Sequence, residues 1–159
     1  MEKASYQGIP GILRPFKEYI EQRVLSEGSE IVFYGVPGTC TPFVELLSYA
    51  IRSVPCRFIF VPLLDEEKAH ELTFKPGIGF QSTDLRPPTH PAVLVIMGGL
   101  AMPGIPVDAG SVCNLLNRWK GTATIGVCFM HMFRKAGWLD TMSFDLLIDA
   151  EISVETEKK

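Results

Sequence analysis

Apolar positions along this chain alternate between a helical period and short continuous runs. Phe16, Ile20, Val24 and Leu25 recur at helical spacing with charges between them, which predicts an amphipathic helix closing near Gly28. Residues 1–14 contain Gly8, Pro10 and Gly11 and read as an irregular lead-in. Ile31-Val-Phe-Tyr34 is an unbroken apolar run, the pattern of a strand covered on both faces. Gly35-Val-Pro-Gly-Thr-Cys-Thr41 is its turn. Pro42 fits the first turn of a helix, where its missing N–H has no partner to lose, and Phe43, Leu46, Leu47, Ala50 and Ile51 give that helix an inward face.

The alternation continues to the C-terminus. Residues 57–61 form a second strand, and 65–72 are charged and short, which suggests one or two exposed helical turns. Residues 73–91 hold Pro76-Gly77, Gly79, Pro87-Pro88 and Pro91 and form a turn-rich surface segment with room for a small hairpin. Residues 92–97 are the third strand, 107–120 a helix with Val112, Leu115, Leu116 and Trp119 inward, and 122–127 the fourth strand. A short helix over 130–136 ends at Gly137. The fifth strand covers 144–148, with an extension through 151–154, and residues 155–159 are a frayed charged tail. Strand–helix alternation of this kind implies one α/β domain over residues 1–159. It is three-layered and doubly wound, with a mostly parallel five-stranded sheet for which a flavodoxin-like strand order is expected.

Composition bounds what such a domain does. At 159 residues the chain buries about two thirds of its unfolded surface. Its net charge of −3, with scattered Lys and Arg, gives no electrostatic pull toward nucleic acid or anionic lipid, so neither a nucleic acid nor a membrane is expected as partner. No apolar run approaches the ~20 residues of a bilayer span, and the first residues have no signal-peptide core. A cytoplasmic protein is expected. Its four cysteines, Cys40, Cys56, Cys113 and Cys128, form no C-x-x-C pair and read as free thiols, with no metal site.

In a doubly wound sheet, ligands bind beyond the carboxyl ends of the strands. The turns at 35–41, 98–104 and 126–131 fall there, with Asp65 at the same edge. Cys128, at the expected strand-to-helix corner, is the one candidate nucleophile, because free N–H groups at a helix start favour a thiolate. Gly35, Pro37, Gly38, Thr39, Cys40 and Thr41 form a glycine- and hydroxyl-bearing turn suited to an anion, though it lacks the Lys of a P-loop and Thr41 equally caps the helix. Gly98, Gly99, Leu100 and Met102 supply a second such loop, with backbone N–H groups able to act like an oxyanion hole. Phe129 and His131 flank Cys128. Met97, Met102, Met130 and Met132 cluster nearby, as core filler or soft ligands.

Met97-Gly98-Gly99, Gly126-Val127-Cys128 and Ala136-Gly137 resemble, in order and spacing, the class I glutamine amidotransferase superfamily and its DJ-1-like relatives. That resemblance implies a cysteine elbow. The base expected on a later strand is missing, since the one histidine after Cys128 is His131, three residues on. The turn at 35–42 also resembles a peroxiredoxin loop whose reactive cysteine would fall on Val44 here. Taken end to end, Gly11-Ile-Leu-Arg-Pro-Phe16, Pro37-Gly-Thr-Cys-Thr-Pro-Phe43, Gly98-Gly-Leu-Ala-Met-Pro103 and Gly126-Val-Cys-Phe-Met130 resemble an uncharacterised archaeal family found in methane-producing lineages, domain of unknown function 2124. The resemblance implies a cytoplasmic protein and assigns no activity or cofactor. The leading expectation is therefore a domain that binds a small molecule, anion or cofactor at the strand ends with cysteine thiols in the site. Its rivals are a cysteine-dependent enzyme and a partner-binding subunit, and a homodimer is compatible with either.

Overall fold

The computed structural model describes residues 2–159. Seven strands form one sheet: β1 (Glu30–Gly35), β2 (Arg57–Pro62), β3 (His70–Lys75), β4 (Gly79–Leu85), β5 (Pro91–Met97), β6 (Ala123–Phe129) and β7 (Leu146–Ala150). Their spatial order is β4-β3-β2-β1-β5-β6-β7. The five strands β2, β1, β5, β6 and β7 are parallel, and β3 and β4 add an antiparallel hairpin at one edge. The sheet thus has seven strands where five were expected. The two extra ones are β3, which begins within 65–72 where charged residues suggested helix, and β4, which falls in the turn-rich segment 73–91 that had room for a small hairpin. His70-Glu-Leu-Thr-Phe-Lys75 instead alternates, burying Leu72 and placing Phe74 and Phe80 in contact at 5.5 Å between ring centroids across the hairpin. Only Glu66–Lys68 keep a short 3₁₀ turn.

Helices cover both faces. α1 (Gly8–Glu21) and α2 (Thr41–Ala50) pack on one face, and α3 (Ala109–Arg118) and α4 (Met132–Lys135) on the other. Residues along β1 divide between them: Ile31 and Phe33 join α1 and α2, while Val32 and Tyr34 join α3 and α4. Alternation within a fully buried strand is what ties the three layers together. α1 begins at Gly8, inside the stretch expected to be irregular. Pro10 falls in its first turn, where proline is tolerated, and Ile12, Phe16 and Ile20 line up as the buried stripe. At the other end, the strand extension through 151–154 is absent; β7 stops at Ala150 and the chain continues without regular structure.

Glu30 anchors the amino end of the sheet. Its side chain is buried, and its carboxylate accepts the N–H groups of Thr89 and His90, each at 2.8 Å, and the Thr89 hydroxyl at 3.0 Å. This pins the proline-rich loop before β5 to the start of β1. Glu30→Ala strands these donors, so we expect a loss of about 2 kcal/mol in unfolding free energy, read by urea denaturation. Glu30→Gln keeps an acceptor and should recover part of that loss.

Candidate functional site

The parallel strands are wound in two directions from β1: the chain passes to β2 on one side and later returns to β5 on the other. Their carboxyl ends part at this point, and the turns following β1, β5 and β6 meet there. A cavity of about 260 Å³ lies between them. Thr39, Cys40 and Phe43 line it from the β1 side, and Met97, Gly98, Gly99 and Met102 from the β5 side. Val127, Phe129, Met130 and Met132 close the β6 side, and Ile152, beyond β7, completes the wall. The rings of Phe43 and Phe129 meet at 4.4 Å between centroids and fix one wall. A wider groove of about 480 Å³ lies elsewhere, between α2 and the β3–β4 hairpin.

Local packing explains why two glycines follow β5. Gly98 and Gly99 open a 3₁₀ turn, Gly98–Ala101. A Cβ on Gly98 would stand 2.3 Å from the Cβ of Cys128, and one on Gly99 would stand 2.5 Å from the Sγ of Cys40. A Cβ on Gly35 would stand 2.8 Å from the Cβ of Cys40. Each glycine therefore makes room for a cysteine, and the two cysteines flank one turn from opposite faces of the sheet.

The two thiols differ in what they face. Cys40 is on the cavity wall and is 4% exposed; burial pushes its pKa up, against the pull of backbone N–H groups at Val36 and Gly99. Cys128 lies within β6, not at a strand-to-helix corner as expected, and is absent from the cavity lining. It is 1% exposed and packs in the cluster under α3 and α4. Burial raises its pKa to about 12; N–H groups of Phe133 and Met132 oppose the rise, and the neighbouring Asp149 adds to it. The strained corner comes later: Met130 and His131 have φ of 54° and 61°, in the left-handed region.

That corner is built around His131. Its backbone N–H donates to Asp149 Oδ1 at 3.0 Å. Its ring lies between two carboxylates, with Nδ1 2.7 Å from Asp149 Oδ2 and Nε2 2.6 Å from Glu151 Oε1. Both carboxylates raise its pKa. His131 precedes α4 rather than belonging to it.

Of the residues expected at the site, Thr39, Cys40, Gly98, Gly99, Met102 and Phe129 line the cavity. Gly35 packs behind Cys40. Pro37 and Gly38 stay outside the lining, and Thr41 spends its hydroxyl on the N–H of Gly38 at 3.1 Å. Leu100 is buried in the opposite cluster, and Asp65 pairs with Lys68 at 3.2 Å on a separate turn. Phe43, Val127, Asp149, Glu151 and Ile152 were missed. Asp149 and Glu151 reach His131 only through the β6–β7 register that sets Cys128 beside Asp149 and Phe129 beside Ala150. No group of three or more His, Cys, Asp or Glu able to hold a metal occurs among the described residues, and no described helix is long and apolar enough to cross a membrane.

The site-bearing turns all fall within residues 7–153, the span matched by a family described as an uncharacterised protein conserved in archaea, DUF2124. The chain belongs to this family. Two uncharacterised proteins of methanogens are similar to it over most of their length. One, from Methanocaldococcus jannaschii, is 38% identical over 147 residues, spanning 92% of this chain and 88% of the relative. The other, from Methanothermobacter thermautotrophicus, is 37% identical over 153 residues, spanning 95% and 80%. A crystal structure of a protein of unknown function from Methanothermobacter thermautotrophicus superposes with a TM-score of 0.85 at 35% identity, covering 100% of this chain and 99% of that one. This DUF2124 chain therefore shares its α/β fold with an experimentally determined structure at a sequence identity that reflects common descent.

Proposed function

We propose that this DUF2124 protein binds a small neutral molecule with an apolar body in the cavity at the carboxyl ends of β1, β5 and β6. The observation that carries this reading is the position of the cavity combined with its lining. Counted among themselves, the parallel strands stand in the order 2-1-3-4-5, which supports a flavodoxin-like reading, and the cavity sits where that order reverses, the place where doubly wound sheets hold their ligands. No Lys, Arg, Asp or Glu lines it, and Thr39 and Cys40 are its polar side chains. The anion version of the reading loses support, since the loop 35–41 brings no cation and Thr41 is already engaged. Five sulfur-bearing side chains, Cys40, Met97, Met102, Met130 and Met132, make a soft, adaptable wall. The volume is slightly below the ~300 Å³ at which drug-sized sites begin, so the ligand is compact.

A cysteine-dependent reaction at Cys128 finds no support in the geometry, because the thiol is buried, neutral and off the cavity. Cys40 contacts the ligand as a neutral thiol in this reading.

Fluorescence titration with the neutral dye N-phenylnaphthylamine tests it. Met102 is 38% exposed at the mouth, so Met102→Glu should fold normally. The charge would have to be desolvated against the dye, and binding should weaken at least about tenfold. Equal affinity in the variant and the wild type would refute the site.

A further inference from the structure

His131 makes an unusual demand on its own protonation. Both ring nitrogens lie within hydrogen-bond distance of carboxylate oxygens, 2.7 Å to Asp149 and 2.6 Å to Glu151. Carboxylates only accept, so both nitrogens must donate, and that requires the imidazolium. Neutral imidazole has one N–H. One of the two contacts must then become a lone pair facing a lone pair.

Which contact gives way follows from burial and bonding. The Asp149 side chain is 19% exposed and is held independently by the backbone N–H of His131. The Glu151 side chain is 70% exposed and has its hydrogen bond only to the ring among the described residues. Loss of the proton therefore releases Glu151. The next residue is Ile152, whose N–H donates to Met130 Sδ at 3.3 Å and whose side chain closes the wall of the cavity. Met130 and His131 sit together in left-handed backbone, so the corner presents the thioether and the imidazole to the same passing segment.

We propose that His131 is a pH-sensitive latch that holds the segment after β7 across the mouth of the cavity, seated while the imidazole is charged and released when it is neutral. The groups facing the ring are Asp149 on β7 and Glu151 beyond it. Arg134 and Lys135 on α4 form no ion pair with either carboxylate among the described residues, and Cys128 on β6 meets Asp149 as a neutral thiol. The pKa of the ring is raised above its ordinary 6.5, first by the Asp149 hydrogen bond and then by that of Glu151. The latch is thus fully engaged below 6.5 and is lost as pH rises through the elevated value. The role assigned to the cavity rests on the binding reading above; the latch itself does not.

NMR of the intact protein separates the two. The His131 ring signals, identified by their loss in His131→Ala, should titrate above 6.5. The Ile152 signals should move with the same midpoint, and the protection factor of its amide should fall several-fold across the transition. In Glu151→Gln, whose amide can pair with either form of the ring, the Ile152 response should vanish while the fold is unchanged. In His131→Ala, Ile152 should be released at every pH. Ile152 signals that stay still while His131 titrates would overturn the latch. N-phenylnaphthylamine should bind more tightly above the midpoint in the wild type and independently of pH in Glu151→Gln. A moving segment with no dye bound at any pH would leave the latch standing and overturn the binding reading instead.

Discussion

Gly98→Ala is expected to lower the unfolding free energy by at least about 3 kcal/mol, the upper range for forcing extra volume into a packed interior. The new methyl would be placed 2.3 Å from the Cβ and 2.8 Å from the Cα of Cys128. The second distance matters most, because it involves backbone in a buried strand that cannot turn aside. Gly98 does not have a positive φ, so nothing else about the position calls for glycine. Alanine would ordinarily gain a few tenths of a kcal/mol or more there by restricting the unfolded chain. The sign of the change therefore reports the contact. Urea denaturation measures it, and Gly98→Ala combined with Cys128→Gly should recover part of the loss, since the Cβ–Cβ clash is removed and the contact with Cα remains. A single variant as stable as the wild type would mean that the turn after β5 does not rest on β6.

This contact also shows what could and could not be read from the chain. The strand–helix alternation was legible because runs such as Val93-Leu-Val-Ile96 are apolar on both faces, which only a sheet covered on both sides requires. The meeting of the three turns followed from the architecture. The role of Gly98-Gly99 did not: glycine pairs signal backbone freedom or close approach, and only the assembled sheet shows that the approach is to two cysteines. The β3–β4 hairpin was legible only in part: the turn residues of 73–91 left room for it, but the start of β3 at His70-Glu-Leu72 was masked by high local charge over 65–72. The His131 corner was hidden for another reason. Asp149 and Glu151 are 18 and 20 residues away along the chain, and their approach depends on the parallel register of β6 and β7. The three-residue separation of His131 from Cys128 says nothing about a partner on the next strand. The aromatic and methionine lining was visible as a cluster of residue types near the turns, but its closure by Ile152 belongs to a segment expected to be a strand.

The second large effect concerns Cys128, the residue that sequence alone marks as reactive. In the folded protein it should alkylate with iodoacetamide at pH 8 about a thousandfold more slowly than in the urea-unfolded chain. Only the thiolate attacks. Raising the thiol from an ordinary 9.0 to about 12 cuts the thiolate fraction at that pH by about three orders of magnitude, before any steric protection is counted. The cause is mainly burial, so unfolding should restore normal reactivity. Peptide mapping by mass spectrometry separates the four free thiols, and Cys113, which is partly exposed, should label well ahead of Cys128. Fast labelling of Cys128 with the fold intact would reinstate it as a nucleophile. The expected slow labelling instead makes its small size the property that matters, since a larger side chain would press on Gly98 as an added methyl there presses on it. Cys128→Ala keeps the Cβ against Gly98 and loses only the buried sulfur. It should therefore cost about 1 kcal/mol or less in stability and leave dye binding in the cavity unchanged.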